Sequence, residues 1–172
     1  MSALGRYRTF VRAIVTIALA TASISAVAEP TGSQDGFTAT IMLTKKPEEF
    51  VREWATSKES RVPASETSGV VRVGEYIAAV VFFRGCKETT ECRVHVDYEL
   101  VAPDGSVRHR VPDRDGTDQP GARNELSYLS HAIVRFQFTP RDVGGPYTIN
   151  AVVREPARGL VVRVSQQFRV AE

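Results

Sequence analysis

The sequence predicts an all-β protein, an antiparallel β-sandwich with one short N-terminal helix. Three observations carry this. Short apolar or alternating runs recur along the chain, separated by stretches rich in Gly, Pro and Asp. Helical periodicity is confined to one segment near Pro47. Strands that follow one another without helices between them lack the crossovers that a parallel sheet needs.

The elements come in this order. Met1–Arg12 is basic, with Arg6, Arg8 and Arg12 and no acid; Ala13–Ala22 is apolar; Ala26 and Ala28 occupy the small-residue positions before a cleavage point. That layout is a secretory signal, residues 1–28, and its apolar part is too short to span a bilayer. The segment holds three of the 22 basic residues, so the remainder carries 19 basic and 20 acidic residues. A near-neutral domain has no global field to gather nucleic acid, so no nucleic-acid partner is expected. No other run approaches membrane length, so no span is expected after cleavage. Residues 29–36 (EPTGSQDG) read as a flexible leader, and residues 37–172 as a single sandwich domain.

Phe37–Leu43 is the first expected strand. A helix then covers Pro47–Ala55: Pro suits the first turn, and Glu48 and Glu49 complement the positive end of the helix dipole. Phe50, Val51 and Trp54 share one face, expected to plug the sheet; the Phe50/Trp54 face would serve as a contact site only if exposed. Thr56–Ser68 is polar and reads as a loop. Further strands are expected at Val70–Val73, Tyr76–Phe83, Val94–Val101, Ser106–Val111, Ile133–Phe138, Tyr147–Arg154 and Leu160–Val170, with Pro103-Asp104-Gly105 as a turn.

Cys86 and Cys92 are the two cysteines and flank a predicted hairpin turn, Gly85–Glu91. In an oxidising compartment the pair is expected to form a disulfide across the hairpin neck; the spacing is not that of a redox-active pair.

Thr139–Tyr147 (TPRDVGGPY) places Asp142, Gly144 and Tyr147 before a strand, which resembles the Asp-x-Gly-x-Tyr corner of immunoglobulin-like sandwiches with one extra residue. Ile149 stands where antibody domains carry a cysteine, so the likeness is to the wider class. The order of PEEFVREWAT, FFRGC…EC, VDYELVAPDGSV and GGPYTINAVVRE is similar to that of small secreted proteobacterial proteins, most of them uncharacterised. That resemblance implies export and an immunoglobulin-like sandwich, and brings no activity with it.

Three histidines, His95, His109 and His131, have no short metal-ligand spacing, so neither a metal nor another cofactor is expected. His95 should face solvent with Arg93, Asp97 and Glu99, whereas His109 should be half-buried with Val107 and Val111. No G-x-S-x-G motif appears. Asp113, Asp115 and Asp118 fail the EF-hand spacing and leave only a looser cation site to consider. Pro112–Arg123 (PDRDGTDQPGAR) reads as a long polar loop suited to recognition, with Arg114 and Arg123 as its expected anchors. The function expected is that of an exported, non-enzymatic binding or accessory protein of the periplasm, partnered by another exported protein or an envelope component. The alternatives are a periplasmic hydrolase with a site assembled from separated loops, and a calcium-braced structural module.

Overall fold

A computed structural model describes residues 30–56, 69–86, 93–116, 118–124 and 127–172, the stretch 118–124 by its main chain alone. The predicted signal (1–28), most of the Thr56–Ser68 loop and the turn leading to Cys92 lie outside the described residues. The elements are β1 (Thr31–Gln34), β2 (Phe37–Thr44), α1 (Pro47–Thr56), β3 (Val70–Arg72), β4 (Tyr76–Arg84), β5 (His95–Val101), β6 (Val107–Asp115), β7 (Asp118–Asn124), β8 (Ser127–Ser130), β9 (Val134–Gln137), β10 (Gly144–Glu155) and β11 (Leu160–Ala171). They form two sheets. One has the order β1-β2-β4-β8-β7, with β9 also on β4; the other runs β3-β11-β10-β5-β6.

The core lies between the sheets. On β5, Val96, Tyr98 and Leu100 are buried and alternate with half-exposed His95, Asp97 and Glu99; β10 alternates likewise through Tyr147, Ile149, Ala151 and Val153. Such alternation marks a sheet with one wet face. Tyr98 is fully buried, and its hydroxyl donates to the Ala132 carbonyl, so burial does not leave a polar atom unpaired.

β4 differs: every residue from Ile77 to Phe83 is buried. One face joins the inter-sheet core through Ile77, Ala79, Val81 and Phe83; the other, Val80 and Phe82, lies under α1. The helix forms as expected, with Lys46 N donating to Thr44 Oγ1 at its entry and Phe50 N to the Lys46 carbonyl. Trp54 and Phe50 both stack on Phe82, at 5.1 Å and 5.8 Å, so the Phe50/Trp54 face is a plug and not a contact site.

The structure departs from the expected architecture in five places. The strands expected to flank a hairpin at Gly85–Glu91 do not pair: β4 belongs to the first sheet and β5 to the second, so the chain crosses between sheets there. The leader is not flexible where described: Thr31–Gln34 is β1, paired with β2, and Gln34 Oε1 accepts from Val161 N. The sandwich is not wholly antiparallel, because β3 runs parallel to β11. Ser127–Ser130 forms β8 on β4, a strand too short and polar to be read in advance. Pro112–Arg123 is not a long loop: β6 runs on to Asp115 and β7 starts at Asp118. The chain turns between them at Gly116, whose N–H donates to the Val94 carbonyl; a Cβ there would collide with Val96 and Ser130 Oγ, so only glycine fits.

The Pro103–Gly105 turn forms as expected. Gly105 is left-handed (φ 83°), and Asp104 Oδ1 accepts from Ser106 N and Oγ. At the Asp142–Tyr147 corner, Asp142 accepts from Thr139 N and Oγ1, and Tyr147 is buried between Phe138 and Phe168. Burial first, and then the nearby Asp142 carboxylate, push the Tyr147 hydroxyl above its ordinary value.

Candidate functional site on the outer face of the second sheet

Alternation on β5 and β10 pushes a set of polar side chains to the solvent face, and register aligns them in rows. Asn150 lies opposite Glu99 on one side and Ser165 on the other; Val152 opposite Asp97 and Arg163; Arg154 opposite His95 and Val161. The face therefore carries charge drawn from segments more than 50 residues apart.

Asp97 is its centre. The Arg154 guanidinium grips the carboxylate with both terminal nitrogens, Nη2 at 2.9 Å from Oδ1 and Nη1 on Oδ2. Two parallel bonds of this kind fix orientation as well as supplying attraction. The Asp113 N–H donates to Asp97 Oδ1 at 2.7 Å. It can do so because Asp113 adopts a left-handed conformation (φ 49°), tolerated by aspartate, next to a register shift between β5 and β6. The bond from Arg154 is the main reason that Asp97 sits below the ordinary carboxylate range, with the Asp113 N–H adding to it against the opposing cost of burial. Arg154 is held above its ordinary value by the same bond.

The network extends outward. Asp113 Oδ1 lies 3.4 Å from Arg154 Nη2 and 3.0 Å from His95 Nδ1. Glu99 pairs with Arg110 Nε at 2.8 Å. Beside these groups is an open groove of about 570 Å³, lined by Asp97, Glu99, Asn150, Val152, Arg154 and Arg163 among others. Most charges in it are already committed to partners within the sheet. Arg163 is exposed and makes no ion pair among the described residues.

The residues singled out from the sequence fall as follows. Asp97, Glu99 and His95 do face outward together. Arg114 is exposed on β6 opposite Val96, and Arg123 takes its place on β7 opposite Tyr128; they belong to different sheets, and the side chain of Arg123 is outside the description. They therefore do not form one loop-borne site. Asp113 Oδ1 is turned toward Arg154 Nη2 and His95 Nδ1; the side chain of Asp118 is outside the described residues, and no cluster of three or more metal-ligating residues occurs among the described residues. His109 is exposed and stands edge-on to Phe136, not half-buried as expected, because β6 is an edge strand. Cys86 is half-buried at the end of β4 and packs on the core, while Cys92 lies outside the described residues. Arg154 and Arg163 were missed. Nothing local to them in the sequence marks them; only the register of β10 and β11 brings them to Asp97.

No family model matches the sequence, and no curated protein matches it. Three solved structures show distant likenesses. A CARDB domain from Pyrococcus furiosus, in complex with di-metal ions, is 11% identical over 87% of this chain and 97% of its own, with a TM-score of 0.40. A Niemann-Pick type C2 protein from the Japanese carpenter ant is 13% identical over 85% and 96%, with a TM-score of 0.37. The alkylpurine DNA glycosylase AlkC of Pseudomonas fluorescens, bound to DNA, is 15% identical over 60% of this chain, with a TM-score of 0.38, and the chain spans 28% of its length. Likeness this weak transfers neither ligand nor activity. Among the described residues no helix is long and apolar enough to cross a membrane.

Proposed function

We propose that this chain is an exported, non-enzymatic binding or accessory protein of the periplasm, and that the outer face of the β5-β10-β11 sheet is its recognition surface. Its partner is another exported protein or an envelope component. The observation that carries this reading is the preorganised network around Asp97: a fixed array of charge costs little side-chain entropy on binding, and specificity comes from complementary charge. Arg163, uncommitted beside the network, is the natural anchor for a partner carboxylate. The immunoglobulin-like form of the sandwich and the Cys86–Cys92 bond belong to the same proposal, a small braced domain suited to an oxidising compartment.

The test is capture from periplasmic extract with the mature protein and its Arg163→Glu variant. A partner retained by the parent and lost by the variant supports the reading; equal capture by both places recognition elsewhere. Export itself is checked by intact mass of the periplasmic protein, expected to begin at Glu29.

A second reading rests on one distance. His95 Nδ1 lies 3.0 Å from Asp113 Oδ1 without forming a hydrogen bond, so a base–acid pair would have to close as substrate binds. In a hydrolase, His95→Gln would abolish turnover; in a binding protein it would leave capture nearly unchanged.

A further inference from the structure

The first sheet carries an open cleft of about 290 Å³ on the part of its outer face that α1 does not line. Thr31 of β1, Thr38 and Thr40 of β2, Arg84 of β4 and Ser127 of β8 contribute to it. Strand parity puts the threonines there: Thr38 and Thr40 are half-exposed and alternate with buried Phe37, Ala39 and Ile41. Register sets Thr38 opposite Arg84, and Thr40 opposite Thr31 on one side and Phe82 on the other. Because β4 lies between β2 and β8, Arg84 stands between the hydroxyls of β2 and that of Ser127. Arg84 is exposed, and its guanidinium makes no ion pair or hydrogen bond among the described residues. No carboxylate among the described residues lines the cleft; Asp35, in the turn from β1 to β2, is outside it. The positive charge is thus uncancelled within the cleft. Thr31 and Thr40 share one hydrogen bond, Oγ1 to Oγ1 at 3.0 Å. It uses one of their two hydroxyl protons and leaves the other to donate.

We propose that this cleft binds a tetrahedral oxyanion of phosphate chemistry, free or carried on a small polar molecule. One cation and no acid select the sign of the ligand. The hydroxyls select its shape. The Arg84 fork donates in parallel to two oxygens. That occupies both oxygens of a carboxylate, whereas a phosphoryl group keeps a further oxygen for Thr38 and for the free proton of the Thr31–Thr40 pair. Phe82 at the cleft is 4% exposed and offers no open apolar surface, so any substituent on the phosphoryl group is polar. The volume is at the small end of ligand sites, so that substituent is also short. The cleft belongs to the other sheet from the Asp97 network, and the two proposals stand or fall apart.

The experiment titrates the mature protein with inorganic phosphate, with glycerol 3-phosphate and with acetate at one ionic strength, read by NMR of the backbone amides and of the arginine Nε–H groups. Saturable shifts are expected at Thr38, Thr40 and Arg84, with the better phosphate probe at least tenfold tighter than acetate. Tighter binding of the ester assigns the site to phosphomonoesters, and tighter binding of the free ion to inorganic phosphate; either supports the proposal. Arg84→Gln should weaken phosphate at least tenfold while leaving the melting temperature unchanged, since the residue is exposed. Arg84→Lys keeps the charge without the fork, so it should bind more weakly than the parent and more tightly than Arg84→Gln. Thr38→Val should weaken phosphate about threefold and leave acetate unmoved. Arg163→Glu, on the other sheet, should leave phosphate binding unaltered. Equal affinity for phosphate and acetate, binding unmoved by both Arg84 variants, shifts away from the cleft, or no saturable binding of either phosphate probe would each overturn the proposal.

Discussion

The outer faces of the two sheets are built on opposite principles. That of the first sheet is dry where α1 lies across β4: Phe50, Trp54, Val80, Phe82 and Leu129 form a second core there. That of the second sheet is wet and carries the Asp97–Arg154 network. The difference is written into strand composition. β4 is apolar throughout because both its faces are covered, whereas β5 and β10 alternate because one face meets water. The first sheet has spent the part of its outer face under α1 on stability, and the second has kept its outer face available.

The sharpest way to break this comparison is to remove the cover. Trp54→Ala deletes a ring that is 3% exposed and stacked on Phe82, and should cost about 3–5 kcal/mol in chemical denaturation. Arg163→Ala, on the wet face, should stay within about 0.5 kcal/mol of the parent. Similar losses from both variants would mean that the second sheet's outer face is also structural.

Adjacent residues of β10 repeat the contrast on a smaller scale. Arg154 points outward to Asp97, while Glu155 points inward, its side chain 4% exposed, and pairs with Arg158 Nε at 2.6 Å. Arg158 also donates to the Gly85 carbonyl and lies over the Phe37 ring. Arg158→Met strands a buried carboxylate and should cost about 3 kcal/mol, because the uncompensated charge loses both its partner and its water. A neutral outcome would mean that water reaches Glu155. The link expected between Cys86 and Cys92 comes next in size: replacing both by Ser should cost about 2 kcal/mol, the lower end expected for a short closed loop, with the fold retained. Two thiols free to react in denatured, unreduced periplasmic protein would refute the pairing.

Legibility in the sequence followed the same division. Strands with a buried face were readable, since alternation in His95–Val101 and the apolar run Tyr76–Phe83 report burial directly. The helix was readable from Phe50 and Trp54. Edge strands were not. β1 (TGSQ) and the end of β6 (PDRD) look like a leader and a loop because edge strands are guarded by polar residues and Pro, the composition of loops. The candidate site was half readable. Strand parity put His95, Asp97 and Glu99 on one face, but their partners Arg154 and Asp113 depend on pairing register and on the bulge at Asp113, and neither leaves a local signature.

The smallest expected effect tests whether the wet face is an organised site or a set of independent charges. Asp97 and Arg154 are about one-third exposed, so solvent screens them and their pairing is worth little to stability. A double-mutant cycle with Asp97→Asn and Arg154→Met should give a coupling of about 1 kcal/mol at pH 7, the upper end for exposed pairs because the contact is two-pronged. The carboxylate is held below its ordinary value of 3.8, so the folded chain binds the proton less readily than the unfolded one. The contribution is therefore complete above pH 3.8 and fades as pH falls below it, through the lowered folded value. Coupling measured across this range should decline toward zero on the acid side and stay flat from pH 5 to 8. Coupling that persists after Asp97 is protonated would show that the two side chains are joined by packing and not by charge, and the outer face would then be no more prepared for a charged partner than any other polar surface.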